Sequence, residues 1–164
     1  MVAIIGGEPR RFRPLIDLYR ETGKRFGHSP NRLRVGVHAL GYIARTTQEA
    51  IDDFFPGYAR AVASVARERG WPAVTRAGFD AQRTPEGALL VGNAEEVAEK
   101  IVRHSEALGG ISRLTFQMNA ASLPHAKLMQ AIEAIGTRVV PALRERLAAE
   151  SKLDESKLNE KAVP

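Results

Sequence analysis

Cysteine is absent from the chain. That excludes a disulfide framework, a thiolate metal site and a cysteine nucleophile. Aromatic residues make up only 6% of the sequence, too few for the stacking platforms of a single-strand nucleic-acid binder. No apolar run approaches the roughly 18 residues of a membrane span. The opening stretch, Val2 to Ile5, is short and stands ahead of its positive charges, which is not the order of a secretory signal. His28, His38, His104 and His125 lie too far apart for ligand spacing, so no metal site is expected. These absences together point to a cytoplasmic protein.

What is present describes an ordinary soluble domain. The 164 residues fit one domain, and a hydrophobic content of 44% can fill its core. The net charge of +5 raises nucleic acid as a partner. Yet arginines alternate with acids, as in Arg67-Glu68-Arg69 and Arg144-Glu145-Arg146, the pattern of solvated helix faces. Neither nucleic acid nor membrane is expected as a partner.

Strand and helix patterns alternate along the chain. A β-branched run, Val2 to Ile5, ends in Gly6-Gly7, and Glu8-Pro9 opens a helix with an apolar stripe of Phe12, Leu15, Ile16, Leu18 and Tyr19. That helix should end near Gly27. Leu33 to Ala44 reads as a second strand, with Val35 and Val37 on one face and Gly36 and His38 on the other. Thr46 and Glu49 form a capping box for the next helix, which Pro56-Gly57 should break or kink before it resumes to Arg69. Residues 73–88 are irregular, with one short helix around Thr75 to Ala81. Leu89 to Asn93 then leads into a helix capped by Asn93, with Glu96 three residues on, and lined by Val97, Ile101 and Leu108. Ile111 to Met118 is the third strand. On it Leu114, Phe116 and Met118 face one way, and Thr115, Gln117 and Asn119 the other. A long helix with Pro124 in its first turn follows, kinked at Pro141, and Ser151 to Pro164 form a polar tail that should fray. Alternation of this kind means an α/β fold with parallel strands. Three parallel strands alone make a narrow sheet with two bare edges, so the pattern reads as the continuation of a larger sheet.

Six motifs, in order, carry a family resemblance. LLVGNAEEVAEKIVRHSEALGGISRLTFQMN and LPHAKLMQAIEAIGTRVVPALR resemble the last strand and last two helices of the bacterial luciferase-like flavin-dependent oxidoreductases. AIIGGEP resembles the end of that family's sixth barrel strand, and VGVHALGYIARTTQEA the seventh strand and the helix start after it. The text from Phe54 to Gly92 looks like an insertion found in one branch. The resemblance implies the C-terminal part of a (β/α)₈ TIM barrel, about strands six to eight, with the first half of the barrel lacking. On that reading residues 1–150 form one partial barrel domain with an insertion at about 55–90, and 151–164 form the tail. It also implies FMN as reduced flavin, with deazaflavin the alternative, and no metal. The implied reaction is oxidation of a small organic substrate with O2. A flavin reductase would be a partner, and the full-length form would be a homo-oligomer. Two other functions stay open: a half-barrel that oligomerises or binds a partner without catalysis of its own, and a flavin or deazaflavin hydride transferase. The fragment by itself is expected to be inactive.

Active sites of such barrels gather at the C-terminal ends of the strands. His38 is the catalytic candidate, as a donor to flavin, substrate or a peroxide oxygen, or else a structural histidine. Gly6 and Gly7 either let the backbone approach the cofactor or make a tight turn. Gln117 either pairs its amide with a flavin carbonyl or ring nitrogen, or is a polar residue of the barrel mouth. The sulfonate-handling branch has Arg-x-His where this chain has His38 and Leu40, and tyrosine where it has Leu123, which argues against a sulfonate substrate. His125 is expected to cap its helix, Trp71 to anchor the insertion by packing, and Trp71 with Phe79 to cover a pocket. The loops that hold the flavin phosphate in this family lie upstream of the matched region, and no Gly-rich phosphate loop replaces them.

Overall fold

A computed structural model describes residues 1–4 and 7–147 of the protein. Ile5, Gly6 and the expected tail from Ser151 lie outside the described residues. Four parallel strands form the sheet: β1 (Val2–Ile4), β2 (Gly36–Ile43), β3 (Leu90–Gly92) and β4 (Arg113–Gln117). β2 is central. Its first residues pair with β1 and with β4, so that His38 lies opposite both Ile4 and Thr115, and Leu40 lies opposite Gln117. The helices are α1 (Arg13–Arg25), α2 (Thr47–Arg69), α3 (Arg76–Arg83), α4 (Ala94–Ala107) and α5 (His125–Ala134).

β3 corrects the expectation of three strands. β2 runs past β1 and β4, leaving Gly41 to Ile43 with backbone groups to satisfy, and Leu90 to Gly92 pairs there. The segment between β2 and α4 is therefore tied into the sheet.

Prolines shape the helices differently from the sequence expectation. Pro9 opens a 3₁₀ turn, Pro9–Phe12, rather than the α-helix itself. Pro14 has no N–H for the Arg10 carbonyl, so the α ladder starts afresh at Arg13. Pro56 does not break α2, which runs unbroken to Arg69 with the exposed proline inside it. Gly57 beside it lets the helix seat on the chain after β4: a Cβ there would stand 1.7 Å from the Ala121 carbonyl oxygen. At Pro141 the expected kink takes the form of a π turn, Ile135–Val139, one turn upstream, after which the helix continues to residue 147. The wider turn accommodates the N–H that Pro141 cannot give to Thr137.

One face of the sheet carries the main core. Val35, Val37 and Ala39 are buried against Ile16 of α1, Val97, Ala98 and Ile101 of α4, and Val139. The Arg20 guanidinium donates to the carbonyls of Leu108, Gly109 and Gly110 at 3.3, 2.7 and 2.7 Å, holding α1 to the C-terminal end of α4. Both helices are N-capped, with Thr46 accepting from Glu49 N–H at 3.2 Å and Asn93 from Glu96 N–H at 3.0 Å. The expected box at Thr46 is not completed, and Glu49 Oε2 is buried without a hydrogen-bond partner. The Thr47 hydroxyl joins them, donating to Glu96 Oε2 at 2.7 Å and accepting from the Asn93 backbone and side-chain amides.

A second cluster joins β2, α2 and α3. Tyr42, Phe54, Tyr58, Phe79 and Phe55 make a chain of ring contacts with centroids 5.0–6.1 Å apart. The loop after α3 is latched from α4 by two buried polar side chains one helical turn apart. Lys100 Nζ donates to the Leu89 and Gln82 carbonyls at 2.8 and 3.2 Å, and His104 Nε2 donates to the Gly87 carbonyl at 3.0 Å. Burial, with the Arg83 charge second, lowers the Lys100 ammonium to about 8. Burial and the Lys100 charge lower His104 to about 4, and its Nδ1 is buried without a partner.

A histidine held neutral in the fold binds its proton more readily when unfolded. Between the ordinary value of 6.5 and about 4 the unfolded chain therefore carries more protons, and stability falls as the pH falls. Urea unfolding of the wild type should lose up to about 3 kcal/mol across that window. His104→Gln, which keeps a donor and cannot charge, should flatten the dependence; an unchanged slope would refute the assignment. Packing gives a second expectation. Gly57→Ala should destabilise by about 1–3 kcal/mol through overpacking, whereas Gly136→Ala, whose added Cβ meets nothing within 4 Å, should be neutral or stabilising in the same denaturation assay.

Candidate functional site

The pleat of β2 places Gly36, His38, Leu40 and Tyr42 on the face opposite the main core. Thr115 and Gln117 of β4 share it through the observed register. This face is poorly covered: Thr115 is exposed, and His38 and Gln117 are half-buried. The two sequence-derived candidates meet directly, with His38 Nε2 donating to Gln117 Oε1 at 2.9 Å. A carbonyl oxygen only accepts, so the ring proton is assigned to Nε2, and a neutral His38 keeps Nδ1 as an acceptor. The Gln117 amide nitrogen keeps two donors.

The pair lies in an open cleft of about 440 Å³ lined also by Phe116, Met118, Asn119, Leu128 and Ile132. The floor is thus two strands and one wall is α5. Chemically it offers a largely apolar surface with His38 Nδ1 as an acceptor and the Gln117 and Asn119 amides as polar groups, and among the described residues no lysine or arginine lines it. Gly7 is not among the lining residues; it follows β1 with φ of +109°, a conformation that glycine adopts freely. The turn reading suits it directly. Gly6 lies outside the described residues.

Sequence reasoning missed a neighbouring network. The Tyr42 hydroxyl, four residues beyond His38 on the same face, donates to Asp53 Oδ2 of α2 at 3.1 Å. Lys127 Nζ of α5 pairs with Asp53 Oδ1. Burial, then the Asp53 charge and hydrogen bond, push the Tyr42 phenol well above its ordinary value, so it stays a donor. The period-two spacing from His38 pointed to Tyr42, but no local signal links it to Asp53 or Lys127. Two expectations are corrected. His125 is exposed and α5 has no side-chain cap, since Pro124 occupies the cap position. Trp71 is no packing anchor: it is 53% exposed, with the Arg69 guanidinium 5.0 Å from its ring centroid. Phe79, by contrast, is core.

Comparison with known proteins follows the same outline. The family model of luciferase-like monooxygenase matches residues 1–110. Among curated proteins none matches the chain. The oxygenating constituent of 3,6-diketocamphane monooxygenase from Pseudomonas putida, a type II Baeyer-Villiger monooxygenase solved in complex with FMN, is similar in structure. It has a TM-score of 0.65 and 24% identity over 87% of this chain and 42% of that one. A monooxygenase from Streptomyces bottropensis gives 0.65 and 20% over 85% and 40%. The coenzyme F₄₂₀-dependent tetrahydromethanopterin reductase from Methanopyrus kandleri gives 0.57 and 17% over 87% and 45%. The chain therefore spans less than half the length of these structures, and the likeness establishes the fold as part of a (β/α) barrel.

The Asp53–Lys127 pair joins α2 to α5. Its Asp53 side chain is 16% exposed, so the coupling should exceed that of a surface pair. A double-mutant cycle with Asp53→Asn and Lys127→Met should return about 1–2 kcal/mol of interaction in urea unfolding. A value near zero would show that the network holds nothing in place.

Proposed function

The chain belongs to the luciferase-like monooxygenase family, and from that premise we propose that it forms one wall of the flavin site of a flavin-dependent monooxygenase. The observation that carries this reading is the His38–Gln117 pair, half-buried on the poorly covered face, with Gln117 the last residue of β4 and His38 opposite the last residue of β1. Barrel enzymes place their chemistry at that end. The FMN bound in the camphane monooxygenase structure supports the same cofactor here.

The cleft fits the ring system of a flavin better than its phosphate. Phe116, Met118, Leu128 and Ile132 offer apolar contact to a planar ring. The two free donors of Gln117 suit a ring carbonyl or nitrogen, and His38 Nδ1 suits an N–H. Among the described residues no lysine or arginine lines the cleft to meet a phosphate. Reduced flavin, when bound, would supply the two electrons that O2 needs to oxidise a small organic substrate. His38 would hold a proton at Nε2 and shift it towards an oxygen as the Gln117 contact opens, while Gln117 fixes the ring orientation. Gly7 would shape the turn after β1 at the same end of the sheet.

On this reading residues 1–150 form one partial barrel domain, and a flavin reductase and further copies of the full-length form would be its partners. The isolated chain is expected to be inactive. A deazaflavin-dependent hydride transfer is the second reading, favoured by the likeness to the coenzyme F₄₂₀-dependent reductase.

Titration of the 164-residue chain with FMN and with riboflavin, followed by flavin fluorescence and by NMR of the His38 ring and Gln117 amide, tests the site. Both ligands should bind alike and weakly, with dissociation constants above roughly 100 μM, about −5.5 kcal/mol, and His38→Ala or Gln117→Ala should remove the local shifts. Micromolar or tighter binding of FMN alone would place the phosphate grip within this chain and overturn the assignment. Shifts confined to other residues would do the same.

A further inference from the structure

Where β2 ends, a second cavity opens between the start of α2 and α5. Tyr42, Ile43 and Ala44 line it from the strand and Glu49 from the first turn of α2. Glu133 of α5 and Arg138 of the π turn help to complete it. Its volume of about 380 Å³ falls within the roughly 300–1,000 Å³ usual for small-molecule sites. It shares no lining residue with the His38–Gln117 cleft. π turns inside helices frequently mark functional sites, and this one supplies Thr137 and Arg138 to the cavity.

The charged groups of this cavity are poorly satisfied. Glu49 Oε2 is buried without a hydrogen-bond partner, and Arg45 Nε stands 3.9 Å away, beyond hydrogen-bond reach. A buried carboxylate oxygen without a donor costs free energy that an N–H from a ligand would recover. Glu133 and Arg138 enter no ion pair among the described residues. The lining charges balance, with Arg45 and Arg138 against Glu49 and Glu133. A simple anion or cation is attracted by half of that set and repelled by the rest, whereas a zwitterion meets both signs. We propose that this cavity binds an aliphatic α-amino acid, its ammonium on Glu49 Oε2 and its carboxylate on the Arg138 guanidinium. The guanidinium fork matches carboxylate geometry, and the ammonium gives the Glu49 oxygen the donor it lacks. Ala44 and Ala134 present methyl groups to the remainder of the ligand, which suits an aliphatic side chain. The site is independent of flavin.

The test titrates the full chain with L-leucine, with isocaproate, which lacks the ammonium, and with isoamylamine, which lacks the carboxylate. Followed by NMR of the backbone amides, leucine should shift the signals of Tyr42 to Arg45 and of the π turn. It should bind at least tenfold more tightly than either counterpart. Glu49→Gln should weaken leucine at least tenfold and leave isocaproate unchanged. Arg138→Gln, at an exposed position, should weaken leucine as much and leave isoamylamine unchanged, with the circular dichroism of the wild type. No saturable binding of leucine overturns the proposal, as does equal affinity for leucine and isocaproate, or binding that both variants retain. Shifts confined to His38 and Gln117, or displacement of leucine by riboflavin, would put leucine in the other cleft and overturn it too. Failure of the flavin titration leaves these signals untouched, so the two failures remain distinguishable.

Discussion

A parallel sheet has to hide two faces and two edges, and in this chain only one face is fully hidden. That constraint organises the rest of the molecule. Val35, Val37 and Ala39 bury the outward face under α1, α4 and the helix after α5. The opposite face keeps Thr115 exposed and His38 and Gln117 half-buried. Polar side chains tolerate that position because they bond to each other. The uncovered face and the candidate site are therefore one physical fact: the surface that packing leaves wet is the surface available to a ligand.

Local patterns read this fold well where the cause is local. The N-caps at Thr46 and Asn93 form as spaced, and the alternation along the second and third strands put His38 and Gln117 on shared faces. What the pattern cannot carry is register. That His38 touches Gln117 follows from Leu40 lying opposite Gln117, a relation between segments 79 residues apart. The same applies to Asp53 with Lys127, and to Lys100 and His104, which read as ordinary polar helix positions until the loop carrying Gly87 and Leu89 is laid over them.

Proline and glycine gave the least reliable local signals, for a physical reason. Their effect depends on what the missing N–H or missing Cβ faces. Pro56 stands on the exposed side of α2 and the helix passes through it. Gly57 looks like part of a breaker and is instead a contact point with Ala121. Pro141 acts upstream of itself, through the π turn at Ile135–Val139. The stripe on α1 misled differently: it merged two faces into one because Leu15 and Ile16 are adjacent in sequence while only Ile16 turns inward.

The Thr47 hydroxyl has a consequence for the segment between β2 and α4. It binds Asn93, so the first turn of α2 and the residue after β3 are neighbours, and the Ala44 amide also donates to the Gly92 carbonyl at 3.3 Å. Everything from α2 to β3 enters and leaves the sheet at nearly the same place. Such a segment is a closed loop with its two ends pinned together on the sheet. Its length can grow or shrink at small entropic cost, while the spacing of β2 and α4 stays as it was.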